Sequence, residues 1–216
     1  MVRQDDKIII QATGYQYFGN VELYSTLVNS KDIKFCIDSL YLKALHSNRT
    51  RIYGPNGIIS LSVPLFGGRN QRGLFKDVRV ADDDNWRRIH WRSIHDSYRK
   101  SPWFEELGWR VEQLYQKPAG FLYDWNLRCM QFCFETLKLE TDILAHYPFS
   151  DNYELQSPKT DPHPLDDINY PTYQQVFMDR FGFIANLSIL DLLFCEGPGA
   201  TDYLMKLHQH KNSISS

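Results

Sequence analysis

A chain of 216 residues, 43% hydrophobic and 14% aromatic, has the composition of an ordinary globular protein and can close a core as one domain. Its formal charge of -2 lacks the basic excess of a general nucleic-acid binder, so no nucleic-acid partner is expected and any anion binding must be local. No run of about 18 apolar residues occurs and "MVRQDDKIII" has no signal-peptide core, so no membrane insertion is expected and the cytoplasm is the expected compartment.

The first 81 residues read as sheet-rich. "KIIIQATG" is a short apolar run closed by Gly14. "NVELYSTLVNS" places Val21, Tyr24, Leu27 and Val28 at helical spacing behind Asn20 as a cap, and "DIKFCID" is strand-like again. Strand, helix, strand in that space predicts a βαβ unit with parallel pairing. In "TRIYGPNGIISLSVPL", Asn56-Gly57 between two β-branched segments predicts a hairpin with a two-residue primed turn. After the loop "GGRNQRG", "LFKDVRVA" predicts one more strand.

Residues 84–140 turn helical. Asp82, Asp83 and Asp84 supply a cap and first-turn negative charge, and Ser101-Pro102 separates the first helix from a second one that carries Trp103, Phe104, Leu107, Val111, Leu114 and Tyr115 inward. Pro118 and Gly120 end that helix. A third, "FLYDWNLRCMQFCFETLKL", aligns Phe121, Trp125, Cys129, Phe132, Cys133 and Thr136 in one stripe. Its two cysteines, like Cys36 and Cys195, sit in apolar stretches and read as reduced core residues. Residues 148–172, rich in Pro, Asp and Ser, have no period and read as a long irregular surface loop. Residues 173–207 recover helical character, with Asn186 as the cap of a hydrophobic helix ended by Gly197-Pro198, and "HQHKNSISS" reads as a frayed end. The fold class is therefore α/β: a mixed β-sheet from the N-terminal part packed against a helical C-terminal half, in one domain over 1–216.

The densest chemistry lies in "NWRRIHWRSIHDSYRKSP". At 3.6 residues per turn, Trp86, His90, Ile94 and Ser97 share one face, with Trp91 and Tyr98 at its margin, whereas Arg88, Arg92, His95 and Arg99 share another. The two histidines diverge and cannot ligate one metal; no metal site and no cofactor are expected. His90 reads either as a core histidine or as a pocket base, since a half-buried imidazole with one free nitrogen suits general-base work near neutral pH. In "HSNRTRIY", strand alternation sends Arg49 and Arg51 to one face, next to His46 and Asn48. Arg69 and Arg72 sit among glycines. Clustered guanidinium groups of this kind either bind phosphates or pair with acids such as Asp77 or Asp82. No G-x-S-x-G, paired CxxC, H-E-x-x-H or G-x-G-x-x-G occurs, which removes the usual serine-hydrolase, zinc and dinucleotide readings.

The stretches "NRTRIYGPNGIISLSVPL", "DVRVADDDNWRRIHWRSIHDSYRKSPWFEE" and "FMDRFGFIANLSILDLLFCEGP" resemble the WbqC-like family of small bacterial proteins over nearly the whole chain. The family pattern falls on Asn48, Arg49, Asn85, Trp86, His90, Trp91, Ser93, Tyr98, Pro102, Phe181, Gly182, Asn186 and Asp191. One departure is the absence of proline from "GYQYFGNVELY", where members commonly carry a proline-rich element. The resemblance implies a part in O-antigen or related surface-glycan production, with an acyl or glycine-type aminoacyl transfer as the suggested activity. Two functions follow as expectations. In the first, Asn48, Arg49, Arg51, Arg69 and Arg72 hold the phosphates of a nucleotide sugar, Trp91 and Tyr98 complete the substrate site, and His90 deprotonates an amine that receives the acyl group from its donor. In the second, the protein is a non-catalytic sugar-binding or assembly protein whose Trp86, Trp91, Trp103 and Tyr98 stack on sugars. His90 opening beside the arginines would favour the first, and His90 sealed in the core the second.

Overall fold

The computed structural model describes residues 9–10, 15–29, 34–35, 38, 40–41, 47–68, 72–81, 85–139 and 170–214. Arg69, His46, Cys36, the Asp82 to Asp84 cap and almost all of the 148–172 loop lie outside them.

Strand β1 (Ile9–Ile10) pairs in parallel with β2 (Lys34–Phe35), and α1 (Val21–Leu27) intervenes in the chain, so the expected βαβ unit is present in a short form. Asn20 caps α1 by accepting the Leu23 N–H at 2.9 Å. Just before the cap, Gly19 adopts φ +70, and a Cβ there would lie 2.8 Å from Leu23 Cδ2; only glycine fits. The hairpin consists of β3 (Arg49–Gly54) and β4 (Gly57–Ser62), antiparallel with Gly54 opposite Gly57. Its tip is Pro55-Asn56, one residue earlier than expected. The proline ring fixes a negative φ, which excludes a primed turn at that position, and the positive φ of 104 falls on Gly57 instead. Parallel and antiparallel pairs thus coexist in the N-terminal part, as two separate two-stranded sheets.

"LFKDVRVA" is not a strand. It forms a 3-10 turn over Phe75–Asp77, flanked by the single bridges Leu40–Leu74, Leu65–Val80 and Arg79–Phe121. Phe75 and Val78, three residues apart, are both buried; a tight turn points them the same way, and a strand of period 2 does not.

Helices α2 (Asn85–Tyr98), α3 (Phe104–Gln116) and α4 (Leu122–Leu137) follow as expected, with Lys138 closing α4 in the left-handed region. Trp86 of α2 meets Trp125 of α4 edge to face at 5.1 Å, and Tyr115 of α3 lies 5.1 Å from the same Trp125, so one indole joins the three helices. Trp103, expected to be buried, is only half-buried: its ring lies against Gly197, where a Cβ would approach to 2.2 Å. Phe121 is exposed rather than part of the α4 stripe.

A short α5 (Met178–Phe181) leads to α6 (Ile189–Glu196), a 3-10 turn at Gly197–Gly199 and α7 (Ala200–Ile214). Ser188, not Asn186, caps α6, through its hydroxyl and the Leu190 N–H. Asn186 has φ +55 and instead accepts the Glu22 N–H at 2.9 Å, tying this segment to α1. The terminus expected to fray is helical to Ile214. Residues 189–195 are buried throughout, which accounts for a helix with no polar face apart from Asp191. Among the described residues no helix is long and apolar enough to cross a membrane. Trp86→Ala, which removes a side chain only 6% exposed, should lower the unfolding free energy measured in urea by about 3 to 5 kcal/mol.

Candidate functional site

The two faces of α2 separate as the helical period requires. Trp86, His90, Ile94, Ser97 and Tyr98 are buried, while Arg88, Arg92 and Arg99 are exposed and His95 is half-exposed beside Asp96. Trp91 lies between the faces and stacks on Phe104 of α3, with ring centroids 6.1 Å apart.

His90 sits in a polar pocket of the core. Its Nδ1 is 2.9 Å from the Tyr17 hydroxyl, which also contacts the Tyr115 hydroxyl, and its ring packs parallel to Tyr17 and edge-on to Trp86. Burial pushes the His90 pKa down to about 4, so the ring is neutral at pH 7, and burial pushes both tyrosines well above their ordinary range. Two protonated tyrosines and a neutral imidazole thus form one buried hydrogen-bonded chain, from Tyr115 through Tyr17 to His90 Nδ1. Trp86 Nε1 and Trp125 Nε1 beside this group, and Ser47 Oγ and Asn126 Oδ1 elsewhere in the interior, are buried without a hydrogen-bond partner among the described residues.

That interior connects to the surface through Ser47. The Ser47 carbonyl accepts from the Tyr17 N–H at 3.1 Å and from Asn126 Nδ2 at 2.9 Å, which fixes the chain just before β3. The next two residues, Asn48 and Arg49, line a cleft of about 330 Å³ with Tyr41, Ser62, Pro64 and Gly68 among their neighbours. Asn48 holds the cleft's shape, donating to the Val63 carbonyl at 2.9 Å and accepting from the Tyr41 hydroxyl at 3.4 Å. No acidic side chain lines the cleft, and Arg49 forms no ion pair among the described residues. Arg51 shares its strand face but is not among the lining residues, and Arg72 is exposed outside it, so the arginine cluster read from the sequence reduces to Arg49 among the described residues.

Tyr98 belongs to a different, closed network. Its hydroxyl donates to Asp191 Oδ1 at 2.9 Å and accepts the Tyr53 N–H at 3.0 Å, and its ring is fully buried against Phe194. Asp191 Oδ2 receives Tyr173 at 2.7 Å and Gln175 at 2.8 Å. Burial raises the Asp191 pKa, and these three donors partly oppose that. Tyr98 therefore offers a ligand neither a ring face nor a free hydroxyl in this arrangement. Sequence reasoning missed Tyr17, Tyr115, Tyr41, Tyr173 and Gln175, because each acquires its partner from a segment distant in the chain and none stands in a local motif. The cysteines of α4 are buried, and desolvation pushes the Cys133 thiol up to about 12, which makes it inert packing.

A short parallel βαβ unit, a hairpin whose Arg49 lines a cleft and a helical remainder built around a tyrosine-bonded histidine define an α/β protein. Residues 16–157 match the WbqC-like protein family, and the chain belongs to that family. No curated protein and no solved structure matches the chain.

The depressed pKa of His90 has a consequence for stability. The fold resists protonating the ring, so its contribution is complete above pH 6.5 and is lost as pH falls toward about 4. Relative to His90→Gln, the wild type should lose about 3 kcal/mol of unfolding free energy across that window. Asp191 titrates alike in both proteins and cancels from the difference. Urea midpoints at pH 7, 5.5 and 4 measure it, and a flat difference would place the ring in water.

Proposed function

We propose that the protein binds the phosphate-bearing end of a nucleotide-activated sugar at the Arg49 cleft and works in bacterial surface-polysaccharide production of the O-antigen type. The observation that carries this reading is a guanidinium that, among the described residues, has no carboxylate partner and no acidic neighbour in its cleft, next to hydroxyl and amide groups of Tyr41, Ser62 and Asn48. An arginine so placed gains most from a phosphate, which accepts two parallel hydrogen bonds from its planar fork. The surface-polysaccharide role is what the resemblance to the WbqC-like family suggests, and it is part of this proposal.

Within that class, the reaction that fits such a ligand is transfer of an acyl or aminoacyl group to the amine of an amino sugar, the glycine-type transfer included. The acceptor amine must be neutral to attack, and a nearby base removes its proton. What supports a reactive interior is that Trp86 and Trp125, whose buried indole N–H groups have no partner among the described residues, pack around a histidine that stays neutral. One observation favours the second reading, a sugar-binding or assembly protein: His90 is only 6% exposed and its Nδ1 is engaged by the Tyr17 hydroxyl.

Calorimetric titration with inorganic phosphate, a nucleoside diphosphate and its hexosamine conjugate tests the binding step. Arg49→Ala should weaken the conjugate by about tenfold to a hundredfold, the loss of one charge-assisted pair, and rising salt should mimic the variant. Equal affinity in wild type and Arg49→Ala would remove the cleft as the site. Mass analysis of the conjugate after incubation with an activated acyl donor then separates the two readings: a product that disappears in a folded His90→Asn variant makes the protein a transferase, and binding without product makes it a carrier.

A further inference from the structure

A second depression lies elsewhere on the surface, between α2 and α3, and shares no lining residue with the Arg49 cleft. It is an open groove of about 580 Å³, within the roughly 300 to 1,000 Å³ common for small-ligand sites. Its floor is aromatic. Trp91 and Phe104 lie nearly parallel, 14° between planes, and Trp109 stands at the edge with 56% of its surface in water. Gly108 keeps this floor flat: a Cβ there would come within 2.9 Å of the Phe104 ring.

The walls carry both signs of charge, Arg88 and Arg92 from α2 and Glu105 and Glu112 from α3. They do not neutralise one another. Arg88 turns back to Asn85 at 2.9 Å, and Arg92, 83% exposed, reaches only Asp96, at 3.6 Å. Neither glutamate has a side-chain partner among the described residues. Two guanidinium groups against two carboxylates leave no net field for a phosphate or a polyanion. They do set hydrogen-bond donors and acceptors on opposite walls of an apolar floor. A protein interface of this size would concentrate apolar groups and exclude charge from its centre, whereas here four charged side chains line the groove alongside three aromatic rings and His95.

We propose that this groove binds a neutral oligosaccharide. The apolar faces of successive sugar rings lie on Trp109 and the Trp91 edge, and vicinal hydroxyls bridge to Glu105 and Glu112 on one side and to Arg88 and Arg92 on the other. The site is independent of the Arg49 reading, because it takes an uncharged ligand through different residues.

The test is a tryptophan-fluorescence titration of the full chain with neutral hexasaccharides of glucose, galactose, mannose and N-acetylglucosamine. Saturable binding to at least one of them is expected, insensitive to salt, weakened about tenfold or more in Trp109→Ala and unchanged in Arg49→Ala. Trp109 is exposed enough that the variant should keep the wild-type melting temperature, which is measured alongside. Absence of saturable binding to all four sugars overturns the proposal, as does binding unaffected by Trp109→Ala. Sedimentation showing self-association that Trp109→Ala abolishes overturns it too, by making the groove a contact between copies of the chain.

Discussion

A carboxylate taken fully out of water must be matched by donors or lose its charge, and Asp191 meets that demand without any cation. Its three donors come from α2, through Tyr98, and from the 173–175 segment, through Tyr173 and Gln175. Tyr98 in turn takes the Tyr53 N–H of β3, and Gln175 returns to the Ile184 backbone through both its amide groups. Tyr53 donates its hydroxyl to the Gly182 carbonyl at 2.8 Å. Hairpin, second helix and the approach to α6 are thus held in register by one buried carboxyl group, and the strand that carries Arg49 is anchored at its far end by the same network.

The near end of that strand is held by a second buried polar group with a different character. Asn126 reaches from α4 to the carbonyls of Tyr15 and Ser47, and Tyr17 adds its own N–H to Ser47. Here the account of hydrogen bonds does not close: several side-chain atoms remain without partners, although the Asp191 network is fully matched. Unmatched buried polar groups are costly, and natural proteins keep few of them without a use.

The two surface depressions differ in the same instructive way. The Arg49 cleft is small, free of acidic lining and built on a hairpin pinned at both ends, which suits a charged group that needs fixed geometry. The α2/α3 groove is open, charge-balanced and floored by rings, which suits an uncharged ligand recognised by shape and hydroxyls.

Local chemistry made much of this legible from the residues alone. The Asn20 cap, the existence of the hairpin, the three helices between 85 and 137 and the divergence of His90 from His95 follow from rules that act over one or two turns of chain. The family followed from three quoted stretches. Where neighbouring residues competed, the reading slipped: Pro55 overrode Asn56-Gly57 at the hairpin tip, and Phe75 with Val78 imposed a turn where alternation suggested a strand. Whether His90 faces a ligand, whether Tyr98 is a contact or a strut, and which arginine lines a cleft were decided by tertiary structure. The first two depend on a partner far away in sequence, Tyr17 for His90 and Asp191 for Tyr98, and no local period encodes which distant segment will arrive at that face.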